Sequence, residues 1–284
     1  MKTISHSEIS TYLSCQKKWD LVYNQNIHKD SPDFQFGSMA HKVLETRIIP
    51  SEDLYPELKE HYGINSWNAY FTFILGEIDD FLQGYNILYK ELPVENEILK
   101  GIIDLVVCEK DTNRIMLCDY KFTKNLKTLA DLEDDQQLYI YAYMYSLLYK
   151  IPIEQIDVCY ISIPKANIDE PRVLKNGTLS KDKAQYTTYK MYYNKIKELN
   201  LNEDDYKDVL DYFMSKPICS CVKMRVSPDK VIKVLNNINN VIRDMQKGYV
   251  LEKNGYDCKY CPYYEECKGE HNGEQNTKRN LTID

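Results

Sequence analysis

The sequence predicts an α/β fold: a mixed central sheet flanked by helices. Two observations carry this. Apolar runs at 102–107 and 115–118 flank the turn formers Asp111, Thr112 and Asn113, the pattern of a β-hairpin with strands buried on both faces. A helical stretch at 132–149 then leads to a third apolar run at 156–163. Strand, helix, strand implies a right-handed crossover, so the third run lies parallel to the second.

Taken in order, residues 5–23 read as a helix capped at Ser5 or Ser7, with Glu8 completing a capping box and Ile9, Tyr12, Leu13, Trp19 and Tyr23 on its apolar face. Cys15 sits within it as a small apolar residue or a ligand. A second helix opens near Phe36 with Ser38 as cap; Val43, Leu44 and Ile48 turn inward, and His41 shares a face with Glu45. Residues 65–85 form a long amphipathic helix. Residues 87–91 and 94–98 read as a bent strand broken at Pro93. Beyond 164 the chain is polar and rich in Lys and Tyr, with helices expected at 181–199 and 203–214. Ser227-Pro228-Asp229 opens a further helix to Gln246, ended by Gly248. Residues 268–284 lack apolar periodicity and read as a disordered tail.

The hairpin also carries the chemistry. A carboxylate is seldom buried unless it is paired or holds a metal. Asp119 and Lys121 project from one face of their strand, and pairing about the Asp111 turn brings Asp104 near Asp119. Such oxygens suit magnesium or manganese, with Lys121 placed to orient water or to offset charge on a phosphate. A structural ion pair is the plain alternative. Gln137 and Tyr141 share a face of the following helix, and His41 offers an imidazole.

Composition bounds the rest. The chain has 284 residues, 43% of them hydrophobic, and no run long enough to span a membrane. No signal-peptide pattern opens it, so a soluble, cytoplasmic protein is expected. Its nine cysteines are then thiols or ligands, not disulfides. A net charge of −7 disfavours sequence-independent duplex binding, although a local basic channel remains compatible with it. Some of the 25 tyrosines can serve as stacking platforms for single strands.

Cys258, Cys261 and Cys267 form C-x2-C-x5-C, a spacing that lets thiolates converge on a metal. A fourth ligand is needed. His271 would complete a zinc site; Cys15 would complete an all-cysteine iron–sulfur site. Cys219 or Cys221 is a further option, although C-x-C within a strand looks structural. Cys108, Cys118 and Cys159 read as inert thiols in core strands.

In combination these motifs resemble the PD-(D/E)XK nucleases of the RecB type, in particular the iron–sulfur branch that includes CRISPR-associated single-strand exonucleases and the nuclease domain of the AddB helicase subunit. Gly37-Ser38-Met39-Ala40-His41 stands for the family's metal-binding histidine. Gly101-Ile102-Ile103-Asp104 matches its first acidic ligand, Asp119-Tyr120-Lys121 its (D/E)-x-K motif, and Gln137 with Tyr141 its Gln-x3-Tyr motif. Cys15 fits its lone N-terminal cysteine, and Cys258, Cys261 and Cys267 its C-terminal trio.

The resemblance implies a restriction-endonuclease-like core, metal held by His41, Asp104 and Asp119, and a structural [4Fe–4S] cluster clasping the first helix to the C-terminal segment. It divides the chain into one nuclease domain at 1–267 and the tail: a helical part at 1–85, the catalytic core at 86–163, a helical insertion or lid at 164–248 and the iron–sulfur segment at 249–267. The implied activity is metal-dependent DNA exonuclease action on single-stranded ends, in recombination, repair or CRISPR spacer processing. With no helicase motif present, any unwinding belongs to a helicase or a recombination or CRISPR partner. The alternative is a non-catalytic nucleic-acid-binding or assembly subunit with a zinc site of three cysteines and His271.

Overall fold

In the computed structural model, which describes residues 3–248, 250 and 256–269, alternation along the strands decides the layers. On β4 (Ile115–Thr123), Ile115 and Leu117 face one apolar core, while Met116, Cys118 and Tyr120 face another. The neighbouring strand β5 (Ile156–Pro164) repeats the split: Val158 and Tyr160 enter the first core, Cys159, Ile161 and Ile163 the second. A strand buried on both faces needs a helical layer on each side.

The sheet begins with the short β1 (Ile4–Ser5), followed by β2 (Tyr85–Glu95) and β3 (Leu99–Glu109). It ends with β6 (Ser220–Arg225). The order is β1-β3-β4-β5-β6, with β2 against β3. The hairpin β3–β4 is antiparallel, with Leu105 opposite Cys118, and Asn113 takes the positive φ of its turn. The β4–β5 pair is parallel, as the crossover rule requires, so the sheet is mixed.

The chain before β2 is helical: α1 (His6–Ser14), α2 (Gln16–Trp19), α3 (Pro32–Thr46), α4 (Pro56–Tyr62) and α5 (Trp67–Leu82). After β4 come α6 (Leu129–Glu133) and α7 (Gln136–Tyr149). Between β5 and β6 lie α8 (Tyr189–Glu198) and α9 (Lys207–Ser215). Last are α10 (Pro228–Met245) and α11 (Tyr264–Gly269). Val231, Val234, Ile238, Ile242 and Met245 recur at helical spacing on α10 and enter the first core with α1 and α7. Each such fully buried side chain contributes on the order of 1.5–3 kcal/mol. The second core takes α3 and α5, including Phe36, Trp67 and Ile74.

Several elements depart from the sequence expectations for local reasons. Cys15 is extended (φ −160°) and breaks the first helix, and its sulfur accepts the Lys18 N–H at 3.4 Å to start α2. Ser5 does cap α1. Glu8, however, turns inward to accept the Trp19 indole N–H at 3.4 Å. Leu13, expected on the apolar face, is exposed.

Helix α3 starts earlier than expected, capped by Ser31 with Pro32 at its first position, where the missing N–H costs nothing. It stops at a left-handed Arg47, so Ile48, expected in the core, is 73% exposed. Pro93 does not divide β2, because that strand lies at the sheet's edge, where a missing donor is tolerated. The helix expected over 132–149 is two helices, divided at Asp134 and Asp135.

The segment taken as a helical insertion, 164–248, contributes β6 to the sheet and α10 to the first core. What remains of it between β5 and β6 has a core of its own: Leu179, Tyr192, Ile196, Tyr206, Val209, Leu210 and Phe213. The expected tail from 270 onward lies outside the described residues. Among the described residues no helix is long and apolar enough to cross a membrane.

Candidate active site

Strand register sets out a row of side chains. Lys90 lies opposite Leu105 and Leu92 opposite Ile103, so Glu91 falls opposite Asp104. Continuing the Leu105–Cys118 pairing one step brings Asp104 to Asp119, and Asp119 pairs with Tyr160 on β5. Three carboxylates thus sit on adjacent strands. His41 reaches the same place from α3: its Nδ1 lies 3.5 Å from Glu91 Oε1 and 3.6 Å from Asp104 Oδ2. His41, Glu91 and Asp104 offer ligand atoms within 4.8 Å of one another.

Glu91 was not anticipated. It adopts a left-handed φ of 47° inside a strand, a conformation costly for a non-glycine residue and often found at functional sites. Its proximity to Asp104 depends on strand register.

The electrostatics are those of crowded carboxylates. Burial, aided by the charge of Asp119, pushes Asp104 up to about 7, against the pull of His41 and of the Tyr120 N–H that donates to Asp104 Oδ2 at 2.8 Å. Burial also raises Asp119, against the pull of Lys121. The Lys121 ammonium lies 2.7 Å from Asp119 Oδ2, a close ion pair within the buried site. Burial disfavours the charge on Lys121, yet Asp119 and Asp135 outweigh it and hold its pKa above the ordinary lysine value. His41 is likewise raised, because Glu91 and Asp104 overcome its desolvation.

A divalent cation fits this donor set. One imidazole and two carboxylates already converge, and the buried Asp119 carboxylate lies on the next strand, a set of nitrogen and oxygen donors that suits manganese or magnesium.

Gln137 and Tyr141 sit on α7, where Gln137 Nε2 donates to the Tyr141 hydroxyl at 3.1 Å. Tyr141 is close enough to Asp119 and Asp104 to feel their charge, and burial, with that charge, raises its pKa to about 12. Its ring lies directly on Gly101: a Cβ there would collide with the ring and stand 2.9 Å from its hydroxyl oxygen. Gly101 is therefore what admits Tyr141 to the site.

The cysteines lie elsewhere. The segment with Cys258, Cys261 and Cys267 docks on the chain just after Cys15: Lys29 Nζ donates to the Pro262 carbonyl at 2.6 Å and to Glu266 at 2.7 Å, while the Lys18 ammonium lies 5.9 Å from the Tyr263 ring. The four thiols do not close within 4.8 Å of one another. Two zinc-bound sulfurs cannot lie much beyond about 4.6 Å apart, twice the Zn–S bond. His271 lies outside the described residues. Cys118 and Cys159 are fully buried, and the sulfur of Cys159 meets that of Cys221 at 2.9 Å.

Comparison with known proteins gives the family. Residues 3–268 match the PD-(D/E)XK nuclease superfamily, and the chain belongs to it. Its fold is thus that of a metal-dependent phosphodiesterase superfamily acting on nucleic acid. Among solved structures, it is similar to a candidate exonuclease from Eubacterium rectale, at 12% identity and a TM-score of 0.46, over 99% of this chain and 91% of that one. No curated protein matches it.

Proposed function

We propose that this protein is a RecB-type, metal-dependent DNA exonuclease that prefers single-stranded ends and acts in recombination, repair or CRISPR spacer processing. The observation that carries the reading is the convergence of His41, Glu91 and Asp104 on one cation-sized point, beside Asp119 and Lys121. A divalent cation held by His41, Asp104 and Asp119, with Glu91 as an added ligand, would supply Lewis-acid polarisation of the scissile phosphate. Lys121 orients the attacking water and offsets charge growing on the phosphate oxygens. Gln137 and Tyr141 shape the wall that positions the strand. The preference for single strands rests on the family resemblance and on the net charge of −7, which gives little sequence-independent attraction to duplex.

Cys15, Cys258, Cys261 and Cys267 would hold a [4Fe–4S] cluster with a structural role, since hydrolysis contains no electron transfer. The docking of the C-terminal segment on the chain just after Cys15 supports the cluster, which needs Cys15, over a zinc site that would spare it. The deciding experiment incubates wild type and Asp119→Ala with end-labelled single- and double-stranded DNA and RNA and manganese or magnesium. Mononucleotide release from single-stranded DNA by wild type alone is expected. Equal cleavage by a folded Asp119→Ala protein would refute the site.

A further inference from the structure

Lys121 is held from more sides than Asp119 alone. Its ammonium lies 5.0 Å from the centre of the Tyr160 ring, within cation–π range. Tyr160 is buried, pairs with Asp119 across the parallel ladder, and donates its hydroxyl to Asp135 Oδ2. The other oxygen, Asp135 Oδ1, accepts the Leu138 N–H at 2.8 Å and caps α7. Gln137 lies in the first turn of that helix and Tyr141 one turn further on. A single carboxylate thus ties the ring beneath Lys121 to the helix that presents Gln137 and Tyr141. His6, the first residue of α1, stands within electrostatic reach of both Asp135 and Lys121.

We propose that Asp135 and Tyr160 are positioning residues for the cleavage reaction: their hydrogen bond fixes the ring on which the Lys121 ammonium rests, in register with the capped end of α7. The catalytic part of this inference rests on the role given to Lys121 above. A helix cap alone would explain one Asp135 oxygen, and asparagine caps as well as aspartate. It does not explain the second oxygen, which is spent on Tyr160. Asparagine is no clean test, because its amide N–H can donate to the Tyr160 hydroxyl in place of the lost acceptor. Asp135→Ser keeps a cap through one short hydroxyl and gives up the hold on Tyr160, while Tyr160→Phe keeps the ring and gives up its anchor.

The test uses the full-length protein in both variants. Each should melt within a few degrees of wild type and bind Mn2+ with wild-type affinity. On an end-labelled single-stranded oligonucleotide, kcat should fall about 10- to 100-fold with KM unchanged, the penalty of a small misplacement of a reacting group. A second readout needs no turnover: the NMR signal of the Lys121 side chain, identified by its loss in Lys121→Ala, should carry a ring-current shift from Tyr160. In both variants that shift should move toward the position of an ordinary lysine. An unmoved Lys121 signal, or wild-type kcat in both variants, overturns the inference. So does a loss of kcat that only tracks losses of melting temperature and Mn2+ affinity. If wild type cuts no nucleic acid at all, the proposed function falls, while the NMR shift still decides whether the pair positions Lys121.

Discussion

The carboxylate row and the cysteine segment bring their donors together in opposite ways. The row draws on α3, β2, β3 and β4, each pinned by a core on one or both faces of the sheet. Its donors converge because the fold places them there. The cysteine trio lies within one short segment whose contacts with residues 18–29 include an ion pair, hydrogen bonds and cation–π contacts to the buried Tyr263. On the proposed reading, a bound cluster adds to the hold that these contacts and the buried Tyr263 provide. Losing a donor from the row should therefore cost chemistry and spare the fold, whereas losing one from the clasp should cost the fold first.

The largest effect expected is on catalysis. Asp119→Ala or Lys121→Ala should lower cleavage by a factor on the order of 10³ or more, since each removes a group that acts on the reacting phosphate. The thermal midpoint of Asp119→Ala should not fall, because burying that carboxylate costs free energy. A well-folded Asp119→Ala enzyme with wild-type rate would end the comparison at once.

The clasp comes next. Joining Cys15 to the trio closes a loop of more than two hundred residues. Cys15→Ser should bleach the broad visible absorbance of the cluster and give an aggregation-prone protein with a lowered melting temperature; His271→Ala should match wild type. A colourless, zinc-containing protein that depends on His271 would reverse this half of the contrast and leave the row untouched.

Within the row, Glu91→Gln and His41→Ala should each weaken Mn2+ binding by about 10- to 100-fold, as measured by calorimetry, with a smaller effect on folding. Unchanged binding in Glu91→Gln would remove Glu91 from the ligand set. Gly101→Ala sharpens the contrast differently, because it forces a Cβ into the Tyr141 ring. Overpacking should cost about 1–3 kcal/mol in denaturant unfolding and slow cleavage as Tyr141 shifts.

The smallest effect should come from Lys29→Ala. It removes the contacts to Pro262 and Glu266, yet a half-exposed ion pair adds little. If the cluster holds the segment, the thermal midpoint should not move measurably; a large drop would mean that the polar contacts hold it.

Much of the row was legible in the sequence. Asp104, Asp119 and Lys121 stand out because charged residues interrupt apolar strands on either side of a centred turn. Gln137 and Tyr141 show themselves by helical spacing. Glu91 was hidden, because Pro93 suggests a broken strand and only the β2–β3 register shows what lies opposite Asp104. The kink at Cys15 was hidden as well: nothing in a helical pattern announces a residue whose sulfur caps the next turn. The strand character of 219–221 could be read locally. Its place in the sheet could not, because that depends on the Asp157–Ser162 partners that β6 finds on β5.

That pairing has a consequence for how such an enzyme can change. Ser162 and Ser220 are direct neighbours across β5 and β6, so the long excursion between them departs and returns at one point. For the sheet it is the loop of a hairpin, a cartridge with a core of its own that also leans on the second core through Ile168 and Met191. Loop-closure entropy grows only slowly with length. The cartridge could be shortened, enlarged or exchanged without rethreading the sheet. It is also mounted next to Lys121, which pairs with Ser162 on the other side of β5. Variation can thus accumulate in this excursion, while the strands that carry the candidate site stay fixed.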